Sequence, residues 1–190
     1  MSSILKVDQL QDSGGNAIIT SNGSGTITVN SQPFKNGITM ADGWRLTANT
    51  NTGTAAVVST NWERMDTNEF SQIGTGLTES SGVFTFPTTG IYWIHYVGRL
   101  TVNNSDTSAN YSLQTTNDNS TWSFAGYATG GNGSGANAGA TVSSNNIFDV
   151  QDTSNYKIRF FTGSFTTATN LNGNTSDNRT HFIVIRLGDT

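Results

Sequence analysis

Two histidines and a scatter of carboxylates are the groups in this chain suited to acid–base work, because the sequence contains no cysteine. Without thiols there are no disulfides, no thiolate nucleophile and no cysteine-bound zinc or iron–sulfur centre. His95 alternates with Trp93 and Val97 on an apolar segment, and His181 opens the last one; no Gly-x-Ser-x-Gly motif accompanies either. His95 is therefore expected to be a satisfied core or interface residue. Glu63, Asp66, Glu69 and Glu79 are candidates for the facing carboxylates of a glycosidase, but their irregular spacing near turns reads as solvated acids. The stretches "TNDNST" and "DSGGN" are only fragments of an Asp-x-Asx-x-Asx-Gly calcium loop, so no cofactor is expected, with calcium left as an open alternative. "TGGNGSGANAGA" lacks the Lys-Ser/Thr and the helix of a phosphate cradle. It reads as an exposed loop, where binding surfaces sit on a rigid scaffold. Trp122 and Tyr127 precede this loop and Asn132 lies in it; rings beside Asn/Ser loops suit sugar rings, so these three are the candidate glycan contacts. The chain is not expected to be an enzyme.

The elements that must position these residues are strands. Hydrophobic residues make up 34% of the chain, yet charged residues are only 12% and aromatics 10%, a balance that folds rather than stays disordered. The polarity comes from Asn, Thr, Ser and Gly, which fill turns and solvated strand faces. Apolar segments such as "GVFTFP", "GIYWIHYVGRLTV", "NYKIRFFTG" and "HFIVIRLG" recur between turn clusters, and no segment carries a sustained 3.6-residue period. That pattern predicts an all-β, antiparallel jelly-roll sandwich of about ten strands.

Nine basic against thirteen acidic residues, without a basic run, exclude a phosphate-backbone partner. No apolar run reaches a membrane span, and "MSSILKVDQLQDSGG" lacks the pattern of a secretory signal. Neither nucleic acid nor membrane insertion is expected, and synthesis without export is.

Residues 1–33 differ from the rest. Their small apolar runs (Ile4, Leu5, Val7; Ile18, Ile19) sit between Gly/Ser/Asn turns and are too short to stand alone. They are predicted to attach the protein to a larger assembly or to intertwine as a stalk, ahead of a head domain over residues 34–190. Within the head, the strand from Ile91 to Val102 carries apolar groups on both alternating faces, and so does the last strand. One face belongs to the core. The other would be an exposed patch unless association covers it. Ile91, Trp93, His95, Val97, Phe182 and Val184 are assigned to that subunit interface, with Tyr92, Ile94, Tyr96 and Leu100 packing between sheets; the reverse assignment of the two faces of the Ile91–Val102 strand stays open.

The order of these segments, and the Gly-x-Phe-x-x-Pro-x-x-Gly-x-Tyr run formed by Gly82, Phe84, Pro87, Gly90 and Tyr92, resembles the globular head of the complement first-component, tumour-necrosis-factor-like superfamily. That resemblance covers about residues 40–190 and implies a ten-stranded jelly roll assembled as a homotrimer, central-strand side chains lining its three-fold axis. "SILKVDQLQDSGGNAI" is similar to the opening of many structural proteins of marine bacteriophages. Together they imply a virion-surface protein made in the host cytoplasm, a fibre or capsid-decoration subunit. Its N-terminus would bind other capsid or tail proteins, and its head would meet a host glycan or receptor. A capsid-stabilising cement protein without receptor role and a secreted complement-like binding module are the alternatives.

Overall fold

The computed structural model describes residues 7–29, 37–67, 70–132, 137–163, 165 and 168–190. The chain divides into two compact units, Met1–Gly37 and Ile38–Thr190. In the first, β1 (Gln9–Gln11), β2 (Ala17–Ser21) and β3 (Ile27–Val29) form a three-stranded antiparallel meander. Its turns are made by the sequence: the Asp12 carboxylate accepts the N–H groups of Gly14 (2.8 Å) and Asn16 (2.9 Å), and Asn22 does the same for Ser24 and Thr26. Val7, Leu10 and Ile27 remain exposed and Ile18 and Ile19 half-buried, in keeping with strands too short to stabilise themselves. Of the residues assigned to attachment, Ile4 and Leu5 lie outside the described residues.

The second unit contains, among the described residues, β4 (Ala41–Leu46), β5 (Ala56–Val57), β6 (Trp62–Arg64), β7 (Thr78–Ser80), β8 (Val83–Thr85), β9 (Gly90–Val102), β10 (Ser108–Thr116), β11 (Ser123–Gly131), β12 (Ala138–Val150), β13 (Lys157–Gly163), β14 (Asn170–Leu171) and β15 (His181–Gly188). They form two six-stranded antiparallel sheets, an all-β jelly-roll sandwich. One runs β11-β10-β13-β8-β7 with β5 on β13; the other runs β12-β9-β15-β4-β6 with β14 on β9. Twelve strands stand where about ten were expected, and β5 and β14 are two-residue additions.

Between the sheets lie Phe84, Tyr92, Ile94, Tyr96, Leu100, Tyr111, Phe160, Phe182 and Val184, all without exposed surface. Phe182 packs at 4.7 Å from both Phe84 and Phe160, and each such buried side chain contributes about 2 kcal/mol of transfer free energy. The placement of Phe182 and Val184 corrects the sequence assignment. They face Tyr96 and Ile94 across the β15–β9 ladder, so they are core residues, and the outward positions belong to Ile183 and Ile185. Both faces of β15 are apolar, and alternation alone leaves the phase of such a strand unfixed.

Gly90 sets the start of β9. Its φ is +143°, and a Cβ there would come within 2.5 Å of Arg186 Nε and 2.6 Å of the Gly188 carbonyl; only glycine fits. Two residues on, the Tyr92 hydroxyl donates to the Thr88 carbonyl at 2.9 Å and its ring enters the core.

Candidate functional site

Two surfaces and one cavity of the head concentrate side chains that the core does not use. The first surface is the outer face of the β9 sheet. The ladder registers place Ile147, Trp93, Ile185 and Ala41 side by side, and an antiparallel bridge adds Ile73 beyond Ala41. This is an unbroken apolar row across the sheet, and its two ends, Ile147 and Ile73, are 69% and 48% exposed. The next row is Asn145, His95, Ile183 and Gly43. Trp93 and His95 stack with ring centroids 5.6 Å apart and planes 5° from parallel, presenting one flat aromatic surface. Ile91 and Val97 extend it along the strand, half-buried like Trp93 and His95.

The third row is Ser143, Val97, His181 and Arg45. Arg45 points outward yet is buried, because its Nε donates to Glu63 (2.7 Å), its Nη2 to Asp66 (2.9 Å) and its Nη1 to Thr67 (2.9 Å). Two of the carboxylates weighed for glycoside cleavage are thus turned onto a single arginine. Glu79 caps its own turn, accepting the Gly82 N–H at 2.6 Å, and Glu69 lies outside the described residues. Burial, then the neighbouring His95, hold the His181 imidazole below its ordinary pKa.

The second surface is the outer face of the opposite sheet. Phe124 and Tyr127, 46% and 54% exposed, pack at 4.7 Å, and Phe124 meets Phe161 edge-on at 5.5 Å. A spacing of three would put positions 124 and 127 on opposite faces of a regular strand. A register shift opposite Leu113/Gln114 skips Ala125 and brings both rings to the same side. Arg159 lies over the Trp122 ring at 4.1 Å and donates through Nε to Gln114. Trp122 and Tyr127 therefore share a sheet face, not a loop tip. Asn132 is half-buried, its amide donating to the carbonyls of Val102 and Asn103. Part of the glycine-rich loop, positions 133–136, lies outside the described residues.

The cavity, of about 590 Å³, is lined by Val97, Arg99, Thr101, Thr141, Asn172, Asn178 and Arg179. It opens where the segment after β14 meets β9, held there by the Asn172 N–H on the Arg99 carbonyl (2.7 Å).

Sequence reasoning missed Ile147, Ile183, Ile185 and Ile73 on the first face, Phe124 and Phe161 on the second, and Arg99 and Arg179 in the cavity. Only cross-strand register brings them together. Among the described residues, no three His, Asp or Glu side chains form a metal-sized cluster, and no helix is long and apolar enough to cross a membrane. The two calcium-loop fragments are closed turns; hydrogen bonds from Thr121 and Ser120 hold the Asp118 carboxyl well below the usual carboxylate range.

No protein-family profile and no curated protein matches this sequence. Its fold is similar to solved structures: Eiger TNF from S. frugiperda (TM-score 0.63, 12% identity, 81% of this chain and 96% of that one), murine APRIL at pH 5.0 (TM-score 0.57, 13% identity, 78% and 98%) and the globular domain of zebrafish complement 1qA (TM-score 0.51, 12% identity, 80% and 99%).

Proposed function

We propose that this chain is a non-catalytic structural subunit that assembles as a homotrimer through the outer face of the β9 sheet. The observation that carries this reading is the apolar row Ile147, Trp93, Ile185, Ala41 and Ile73, backed by the stacked Trp93–His95 pair. Burying such a face contributes roughly 25 cal/mol per Å², and a contiguous apolar patch of this kind marks an association surface. A three-fold arrangement is supported by the jelly-roll fold, which the sequence resemblance links to trimeric heads. Size-exclusion chromatography with light scattering tests it: three times the 20.2 kDa chain mass is expected, and a monomer at micromolar concentration overturns it.

The trimer is placed on the surface of a bacteriophage particle, as a fibre or decoration subunit. Support comes from the phage-like opening of residues 1–33 and from the division of the chain into a small meander and a head. Deleting residues 1–33 should abolish incorporation into particles while leaving the head folded; incorporation of the deleted form rejects this placement. The aromatic face with Trp122 and Tyr127 is the candidate contact for a host glycan. A secreted binding module of the complement-head type is the second reading, favoured by the fold shared with the zebrafish domain.

A further inference from the structure

The cavity beside Arg99 lies at the far end of the β9 face, sharing Val97 with the surface assigned to assembly, and its charge is one-sided. Arg99 is exposed, and no carboxylate among the described residues pairs with it. Its Nη1 donates to the Thr141 hydroxyl at 3.2 Å. The guanidinium lies flat over Gly139, where a Cβ would come within 2.9 Å of Nη2; the glycine makes room for the group to rest across β12. Arg179 is the other cation, but its Nε and Nη2 are taken by Asp177 at 2.8 and 3.2 Å. The cavity therefore carries one uncompensated positive charge, in a chain whose net charge is −4.

The two asparagine side chains add further donors. Asn172 uses its side-chain oxygen to accept from Thr101 (3.1 Å), and Asn178 uses its own to accept from Arg45 (3.4 Å). Each amide is left with its NH₂ end to donate. Val97 supplies an apolar wall. A volume of about 590 Å³ is far larger than a simple anion requires and falls in the range of small-molecule sites. The complementary ligand has one negative charge, several acceptor oxygens and a compact apolar face.

We propose that this cavity binds a carboxylate-bearing sugar unit, with Arg99 taking the carboxylate and the Asn172 and Asn178 amides taking ring hydroxyls. A guanidinium presents two parallel donors to a carboxylate, and a pyranose C–H face suits Val97.

Calorimetric titration of the full chain with methyl β-D-glucuronide, methyl β-D-glucoside and potassium sulfate tests the proposal, with the assembly mass measured on the same samples. Saturable binding of the glucuronide is expected, weakened at least about tenfold by Arg99→Gln and unchanged by Trp122→Ala. Arg99→Lys should recover part of it, and the glucoside and sulfate should bind more weakly than the glucuronide. Three outcomes overturn the proposal: no glucuronide binding to the wild type, full binding to Arg99→Gln, or sulfate binding as well as the glucuronide, which would make the cavity a plain anion site. Gly139→Leu is a second variant, placing a side chain where the guanidinium rests, and its binding should fall with that of Arg99→Gln. The mass measurement keeps a failed trimer distinct from a failed sugar site.

Discussion

The two outer faces of the sandwich are built on the same kind of sheet, yet they treat their large apolar side chains differently. On the second face the rings gather into local contacts. Phe124 packs on Tyr127 and Phe161, and Arg159 lies over Trp122. Ser112, whose ladder partners are Tyr127 and Phe161, is left 1% exposed. On the β9 face the apolar row runs unbroken across the sheet, with Ile147 and Ile73 at its ends 69% and 48% exposed. Rings gathered into local contacts suit weak binding at their exposed edges, whereas an apolar row continuous across a sheet is suited to burial by a second subunit.

The sharpest break of this comparison uses neighbours on β15. Phe182→Ala should destabilise the folded head by about 4 kcal/mol through the cavity it leaves, read from denaturant unfolding. Ile183→Ala, one residue away and facing outward, should leave the fold within about 1 kcal/mol and weaken assembly instead. Equal effects would mean that the two sides of β15 are not distinct.

Next in size is a charge on each outer face. Trp93→Asp should shift assembly toward monomer by about a hundredfold or more, since an unpaired carboxylate would be buried against an apolar partner. Phe161→Asp, on the other face, should leave the mass unchanged, and dissociation by both variants would erase the difference between faces.

A pH scan gives a smaller effect. Because burial lowers the folded-state pKa of His181, the unfolded chain takes up the proton first. Stability is therefore full above the unfolded pKa of about 6.5, falls as the pH drops below it and levels off below the folded pKa. The thermal midpoint should drop between about pH 7 and pH 5, and His181→Gln should flatten that slope. The smallest change is Trp122→Ala, which removes the cation–π contact with Arg159 and should cost about 0.5–1 kcal/mol. If the second face binds glycan, this variant loses cell binding with its mass intact; unchanged binding removes Trp122 from that role.

Much of the fold was legible because local chemistry and global packing agree. The alternation of β9 could be read from spacing, and Gly90 and Tyr92 stood out as members of the run that carries the family resemblance. The site was less legible, for identifiable reasons. Two apolar faces on β15 hid the phase of Phe182 and Ile183, and a bulge at Ala125 disguised the shared face of Phe124 and Tyr127. Asn132 was assigned by composition, and its hydrogen bonds depend on backbone carbonyls thirty residues away in sequence. The donor-lined cavity joins β9, β12 and the segment after β14, a combination that only strand order creates.

The absence of native cysteine allows a direct test of which face is buried on assembly. Ile147→Cys and Tyr127→Cys place a thiol at exposed positions on the two faces, and maleimide labelling at micromolar protein reads their accessibility. The expected result is slow labelling at position 147 that becomes fast when Trp93→Asp is added, with fast labelling at position 127 in both backgrounds. Equally fast labelling at both positions in the otherwise wild-type protein would contradict the assignment of the β9 face to assembly.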